Sequence, residues 1–128
     1  TYPAKFIAAI KGEGCAKTPE GVIIFDGAQY EHVDVARYPW GKNALDGPLI
    51  PFRSIAVDRK VVPLTTKCMV KELIGVELPT GEVHDGMVRA TDVGGRIKGN
   101  HFDWFVGTRA WADKLAYLPD QVTLTFPL

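Results

Sequence analysis

Three aspartates stand out in this chain: Asp58, Asp92 and Asp103 lie at the ends of short apolar stretches or within them. A surface Asp held in water is the commonest kind, so context decides which of them could do chemistry. Asp92 precedes Gly94-Gly95, where the backbone can turn tightly and leave a carboxylate in a cleft. Asp103 lies in His101-Phe102-Asp103-Trp104-Phe105. Strand alternation there sends Phe102 and Trp104 one way and His101, Asp103 and Phe105 the other. Aromatic neighbours that partly desolvate a carboxyl raise its pKa, and a second carboxylate nearby raises it further. A general acid that protonates a bridging glycosidic oxygen needs that property. Arg96 and Lys98, in the same segment, are either solvated or available to bind substrate carboxylates or acetamido groups.

The loop Arg37 to Phe52 is the other candidate region. It holds three Pro, two Gly and several aromatics, and long ordered loops in small domains are often functional. Tyr38 and Trp40 either stack on sugar rings or pin the loop to the core. His32, His84 and His101 lack metal-ligand spacing, so neither a metal site nor a cofactor is expected. Gly94-Gly95-Arg96-Ile97-Lys98-Gly99 lacks the Gly-Lys-Ser/Thr ending of a phosphate loop, and no Gly-x-Ser-x-Gly elbow occurs. Cys15 and Cys68 either form one disulfide or are two unrelated thiols.

The elements that must position these residues read mostly as strands. Strands are expected at Tyr2 to Ile10, Gly21 to Phe25, Tyr30 to Val35, Ser54 to Val57, Lys67 to Val76, Met87 to Thr91, His101 to Phe105 and Gln121 to Phe126. Lys11 to Gly21 reads as a loop. Asp26-Gly27 and Pro79 to Glu82 read as turns. Thr108 is placed to cap one short helix from Arg109 to about Leu118, with Trp111, Leu115 and Leu118 on one face.

The chain has 128 residues, 46% hydrophobic and 23% charged, with 13 Gly and 9 Pro. This suits a single turn-rich, mainly β domain over residues 1–128. The formal net charge is zero, with acidic and basic residues interspersed, so nothing indicates a nucleic-acid partner. No apolar run approaches the roughly 20 residues of a membrane span. The start, Thr1-Tyr2-Pro3, is not a signal peptide and reads as a mature or trimmed chain.

Three segments together resemble a known family. They are Ala56-Val57-Asp58, Val62-Pro63-Leu64-Thr65-Thr66, and the run from Ala90 to Asp103 that contains Asp92-Val93-Gly94-Gly95-Arg96-Ile97-Lys98-Gly99-Asn100-His101-Phe102-Asp103. They resemble the 3D domain, named for its three aspartates and found in membrane-bound lytic transglycosylase A and in small stationary-phase muralytic proteins. The likeness covers about Ile50 to Gly107. Thr66 stands where that family usually has Gly-Thr or a similar pair after Pro, a departure expected to affect a turn alone.

The resemblance implies a six-stranded double-psi β-barrel with one or two short helices. It also implies lytic cleavage of the β-1,4 MurNAc-GlcNAc bond of peptidoglycan to a 1,6-anhydro product, in the cell envelope or outside the cell. Asp103 then matches the catalytic acid/base and Asp92 the carboxylate beside it. Asp58, Gly94, Gly95 and Lys98 fall to supporting roles, and Tyr38, Trp40, Arg96 and His101 to substrate binding. An inhibitor or scaffold partner is left unknown. Two other readings share the barrel: an endoglucanase-type hydrolase and a non-catalytic, expansin-like glycan-binding module.

Overall fold

The structure is a computed structural model. It describes every residue except 1, 12–14, 19–20, 27–28, 34–39, 41–42 and 46, and describes the backbone alone at 2, 11, 15–18, 21–26 and 29–33. In chain order the elements are β1 (Tyr2–Lys11), β2 (Cys15–Thr18), β3 (Gly21–Asp26), β4 (Gln29–Val33), β5 (Ser54–Val57), β6 (Lys67–Val70), a single 3-10 turn (Lys71–Leu73), β7 (Met87–Val93), β8 (His101–Phe105), α1 (Arg109–Leu115) and β9 (Gln121–Phe126).

Six strands close into a barrel in the order β1-β8-β5-β7-β6-β9, and β9 pairs with β1. The β1–β8 and β5–β7 pairs are parallel and the other four antiparallel. This is the expected six-stranded double-psi β-barrel. Closure removes the unpaired edges that an open sheet of these strands would expose. β2, β3 and β4 form an antiparallel sheet of their own, outside the barrel's strand order.

Alternation decides which residues fill the barrel. Phe6, Ile55, Val57, Val70, Phe102, Trp104 and Leu124 are buried and form one core with Leu115 of α1. On β8 the pattern is as read from the sequence: Phe102 and Trp104 point inward and Asp103 outward, half-buried. Phe105 is also buried, because Trp40 covers it from outside with ring centroids 6.3 Å apart.

Several expected boundaries move. Lys11 to Gly21, read as a loop, contains the strand β2. Lys67 to Val76 is a strand only as far as Val70, after which the 3-10 turn takes over. β7 runs on to Val93, so Asp92 lies inside the strand. The helix is capped as expected, with the Trp111 amide donating to Thr108 Oγ1 at 3.1 Å, but it ends at Leu115. Cys68 is a free, buried thiol in β6, so the possible disulfide with Cys15 is not formed. Burial pushes its pKa up to about 11.

One buried knot fixes the entry to β5. Phe52 has φ +69°, a left-handed conformation rare for an aromatic residue. Its carbonyl accepts two hydrogen bonds, from Trp104 Nε1 at 3.0 Å and His84 Nε2 at 2.7 Å. Its amide donates to the Phe105 carbonyl at 2.7 Å. Three bonds to the backbone of one residue hold a conformation that costs about 1–3 kcal/mol when left unsupported.

Candidate active site

β8, β5 and β7 lie side by side, and their registers decide where the acids stand. Ala56 of β5 pairs with Asp103 on one side and with Asp92 on the other. Asp103 pairs in turn with Ala9 of β1. One row across four adjacent strands therefore reads Ala9, Asp103, Ala56, Asp92. In-register neighbours project from the same face of a sheet, here the outside of the barrel. The two aspartates are half-buried, and the two alanines between and beside them leave a low floor. Two strand spacings separate the aspartate Cα atoms, about 10 Å.

Asp92 reaches this row only because β7 is irregular. Ala90 pairs with Ile55, both fully buried in the barrel, and strict alternation would send Asp92 inward as well. The register shifts between Ile55 and Ala56, so Thr91 is an extra residue and Asp92 faces outward. Bulges commonly re-aim a side chain in this way. Asp92 Oδ1 accepts from the Val93 amide at 3.0 Å.

Asp58 has a different job. Its Oδ1 accepts from the Lys60 amide at 3.1 Å and its Oδ2 from the Gly99 amide at 2.9 Å. It thus ties the turn after β5 to the connection between β7 and β8. The Gly99 and Lys60 amides hold its pKa below the ordinary value, helped by the charges of Lys98 and Lys60. Glycine is favoured in that connection at Gly99, whose φ is +64°; a Cβ on Gly94 would meet Ile97 Cδ1 at 2.7 Å and push that side-chain end aside. Gly95 has open space around its Cα. Arg96, Lys98 and His101 are exposed. Trp40 packs at 5.6 Å from Trp111 as well as on Phe105, so it pins its loop to the helix and β8. Tyr38 lies outside the described residues.

Residues 53–125 match the family model of the 3D domain, more than half of the chain. The chain belongs to the 3D domain family. A 37% identical relative over 81 residues is a membrane-bound lytic murein transglycosylase A homolog from Buchnera aphidicola; the match covers 60% of this chain and 21% of the relative. Among solved structures, MltA from E. coli superposes with a TM-score of 0.52 at 24% identity, over 80% of this chain and 30% of that one. E. coli MltA with bound chitohexaose gives a TM-score of 0.54 at 24% identity, over 74% and 28%. The membrane-bound lytic murein transglycosylase of Agrobacterium tumefaciens gives 0.51 at 21%, over 83% and 28%. These likenesses show the fold. The 3D domain here spans about a fifth of the curated relative's length.

Sequence reasoning found all three aspartates but not the row that joins two of them. Ala9 and Ala56, which leave space beside and between the acids, carry no chemical signal of their own. The extra residue in β7 gives none either.

Proposed function

We propose that the chain is a peptidoglycan lytic transglycosylase in which Asp103 is the general acid and then the general base. The observation that carries this reading is the outer-face row, where Asp103 and Asp92 flank Ala56 in register and Ala9 stands on the far side of Asp103. Membership of the 3D domain family and likeness to lytic transglycosylases support it. Protonated Asp103 donates to the glycosidic oxygen between MurNAc and GlcNAc. The bond from the anomeric carbon to that oxygen breaks, leaving oxocarbenium character on the muramoyl ring. The C6 hydroxyl oxygen of the same ring attacks the anomeric carbon, and its proton passes to the Asp103 carboxylate. The product is a 1,6-anhydro sugar, no water is consumed, and Asp103 is again protonated.

Asp92 tunes Asp103 as the second negative charge on the row, and Asp58 holds the loop that joins their strands. Arg96 and Lys98, exposed on the connection between β7 and β8, and His101, exposed at the start of β8, contact the glycan. The work is done in the cell envelope or outside the cell, where peptidoglycan is found. Asp103→Asn, which keeps size and removes the proton, abolishes release of anhydro-muropeptides from sacculi while its melting temperature stays near that of the wild type. Retained activity in that variant sinks the assignment.

An inverting hydrolase would hold its two carboxyls about 6.5–9.5 Å apart around a water, a separation that aspartates with Cα atoms about 10 Å apart can adopt. Mass spectrometry separates the two. Anhydro ends mean intramolecular attack, and reducing ends that have gained water mean hydrolysis.

A further inference from the structure

Two rungs along β5 from the acid row, about 7 Å away, the outer face changes charge. Arg89 of β7 pairs directly with Lys67 of β6 on one side and Ser54 of β5 on the other. Both cations are exposed, and neither side chain has a hydrogen bond or ion pair among the described residues. Like charges directly opposite on paired strands repel, so this arrangement opposes folding unless an anion joins it. The nearby Arg53 is already committed, to the Asp85 carboxylate and the Met87 carbonyl.

Arg89 and Lys67 border a groove of about 460 Å³ that ends at Thr91, the residue next to Asp92. Thr91 Oγ1 is buried there with no hydrogen-bond partner. An unpaired buried hydroxyl is unfavourable. The far wall is preformed. Asn43 Oδ1 accepts from the Leu45 and Gly47 amides at 2.8 and 3.0 Å, and Pro48 and Ile50 carry the wall onward. Cations in register and a shaped wall thus meet in one groove, whose lining reaches the neighbour of Asp92 on β7.

We propose that this groove binds the carboxylate carried by the muramoyl side chain of the substrate, with Arg89 as a planar fork and Lys67 as a point charge. The proposal rests on the peptidoglycan reading above and gives that site its substrate preference: muramoyl-containing strands over neutral glycans. Two sources share this chemistry, the lactyl carboxylate of a bare MurNAc and the carboxylates of an attached peptide.

Binding is measured by calorimetry on the full chain carrying Asp103→Asn, so that no turnover intrudes. Three ligands are compared: peptide-bearing glycan strands, strands stripped of peptide by an amidase, and an N-acetylglucosamine oligomer with no carboxylate. Adding Arg89→Gln and Lys67→Gln together weakens binding of at least one carboxylate-bearing ligand by roughly tenfold or more and leaves the neutral oligomer unchanged. The stripped strands losing more assigns the lactyl group, and the peptide-bearing strands losing more assigns the peptide. Equal loss on all three ligands, or loss on none, overturns the proposal. If the discrimination is found but the wild-type chain releases no fragments from sacculi, the groove stands and the lytic reading fails.

Discussion

Removing the His84 ring gives the sharpest test of how this fold holds its acids. The imidazole is almost fully buried. Nε2 donates to the Phe52 carbonyl at 2.7 Å and Nδ1 accepts from the Gly86 amide at 2.7 Å, so the ring is neutral with its proton on Nε2. His84→Ala leaves the Gly86 amide unpaired, removes one of two donors from a strained peptide and opens a cavity against Trp104, whose ring lies 5.8 Å away. An unsatisfied buried donor costs about 1–3 kcal/mol, and with the cavity the loss comes to about 3–5 kcal/mol. Unfolding entropy of about 2.1 cal/mol/K per residue converts this, for 128 residues, to a fall in melting temperature of about 11–19 °C. Scanning calorimetry reads it directly. The exposed His101 is the control, and His101→Ala stays within about 0.5 kcal/mol of the wild type.

The same residue carries a pH signature. Burial lowers the His84 pKa below its ordinary value, and the nearby Arg53 charge adds to this. The bond to Phe52 and the Asp85 charge pull the other way. A base with a depressed folded-state pKa stabilises the fold above its unfolded value of 6.5, and this is lost as pH falls through the lowered value. The wild type therefore loses more stability than His84→Ala between pH 7 and pH 5. A melting temperature for His84→Ala within about 3 °C of the wild type, or parallel pH profiles, refutes the reasoning.

Three further outcomes are expected. Asp58→Ala slows fragment release without touching the acid row. Because the Gly99 and Lys60 amides lower the folded-state pKa of Asp58, its stabilisation is present above 3.8 and fades as pH falls through the lowered value. Denaturation curves of variant and wild type thus converge at low pH. Thr65→Gly stabilises the chain by about 0.5–1 kcal/mol, read by urea denaturation, because Thr65 is exposed and has φ +78°. Ala56→Leu fills the gap between Asp92 and Asp103 and lowers fragment release by about a hundredfold, at a stability cost of about 1–3 kcal/mol.

Much of the barrel was legible because its strands alternate cleanly. Phe102 and Trp104 inward with Asp103 outward follows from period two alone, and Thr108 capping α1 follows from residue type. What stayed hidden depends on partners remote in sequence. Nothing in Lys67 to Val76 announces that the chain turns at Val70, since the Glu72 carboxylate anchors that turn to Thr123 at 2.7 Å on the adjacent strand β9, which is remote in sequence. The strand β2 is short and read as loop because Gly and Pro surround it. The role of Trp40 was open between sugar and core, and the rings of Trp111 and Phe105 place it against the core. The departure expected at Thr66 lies just past a turn at Leu64-Thr65, and it is Thr65 that takes a left-handed φ there.

The phase of Asp92 shows why counting residues could not have found the site. Asp92 and Asp103 are joined by a connection with no helix, so sequence distance suggests neighbours on one loop. In the fold their strands are not neighbours at all, since β5 lies between them. The acids share a face because one extra residue in β7 reverses the inward sense that Ala90 sets. Regular pairing that kept Thr91, with Thr91 opposite Ala56, would turn the Asp92 carboxyl toward a core of Phe102 and Trp104. Burying a charge there is far costlier than keeping the bulge. The irregular strand is therefore the arrangement that allows a second carboxylate to stand beside Asp103 without entering the barrel.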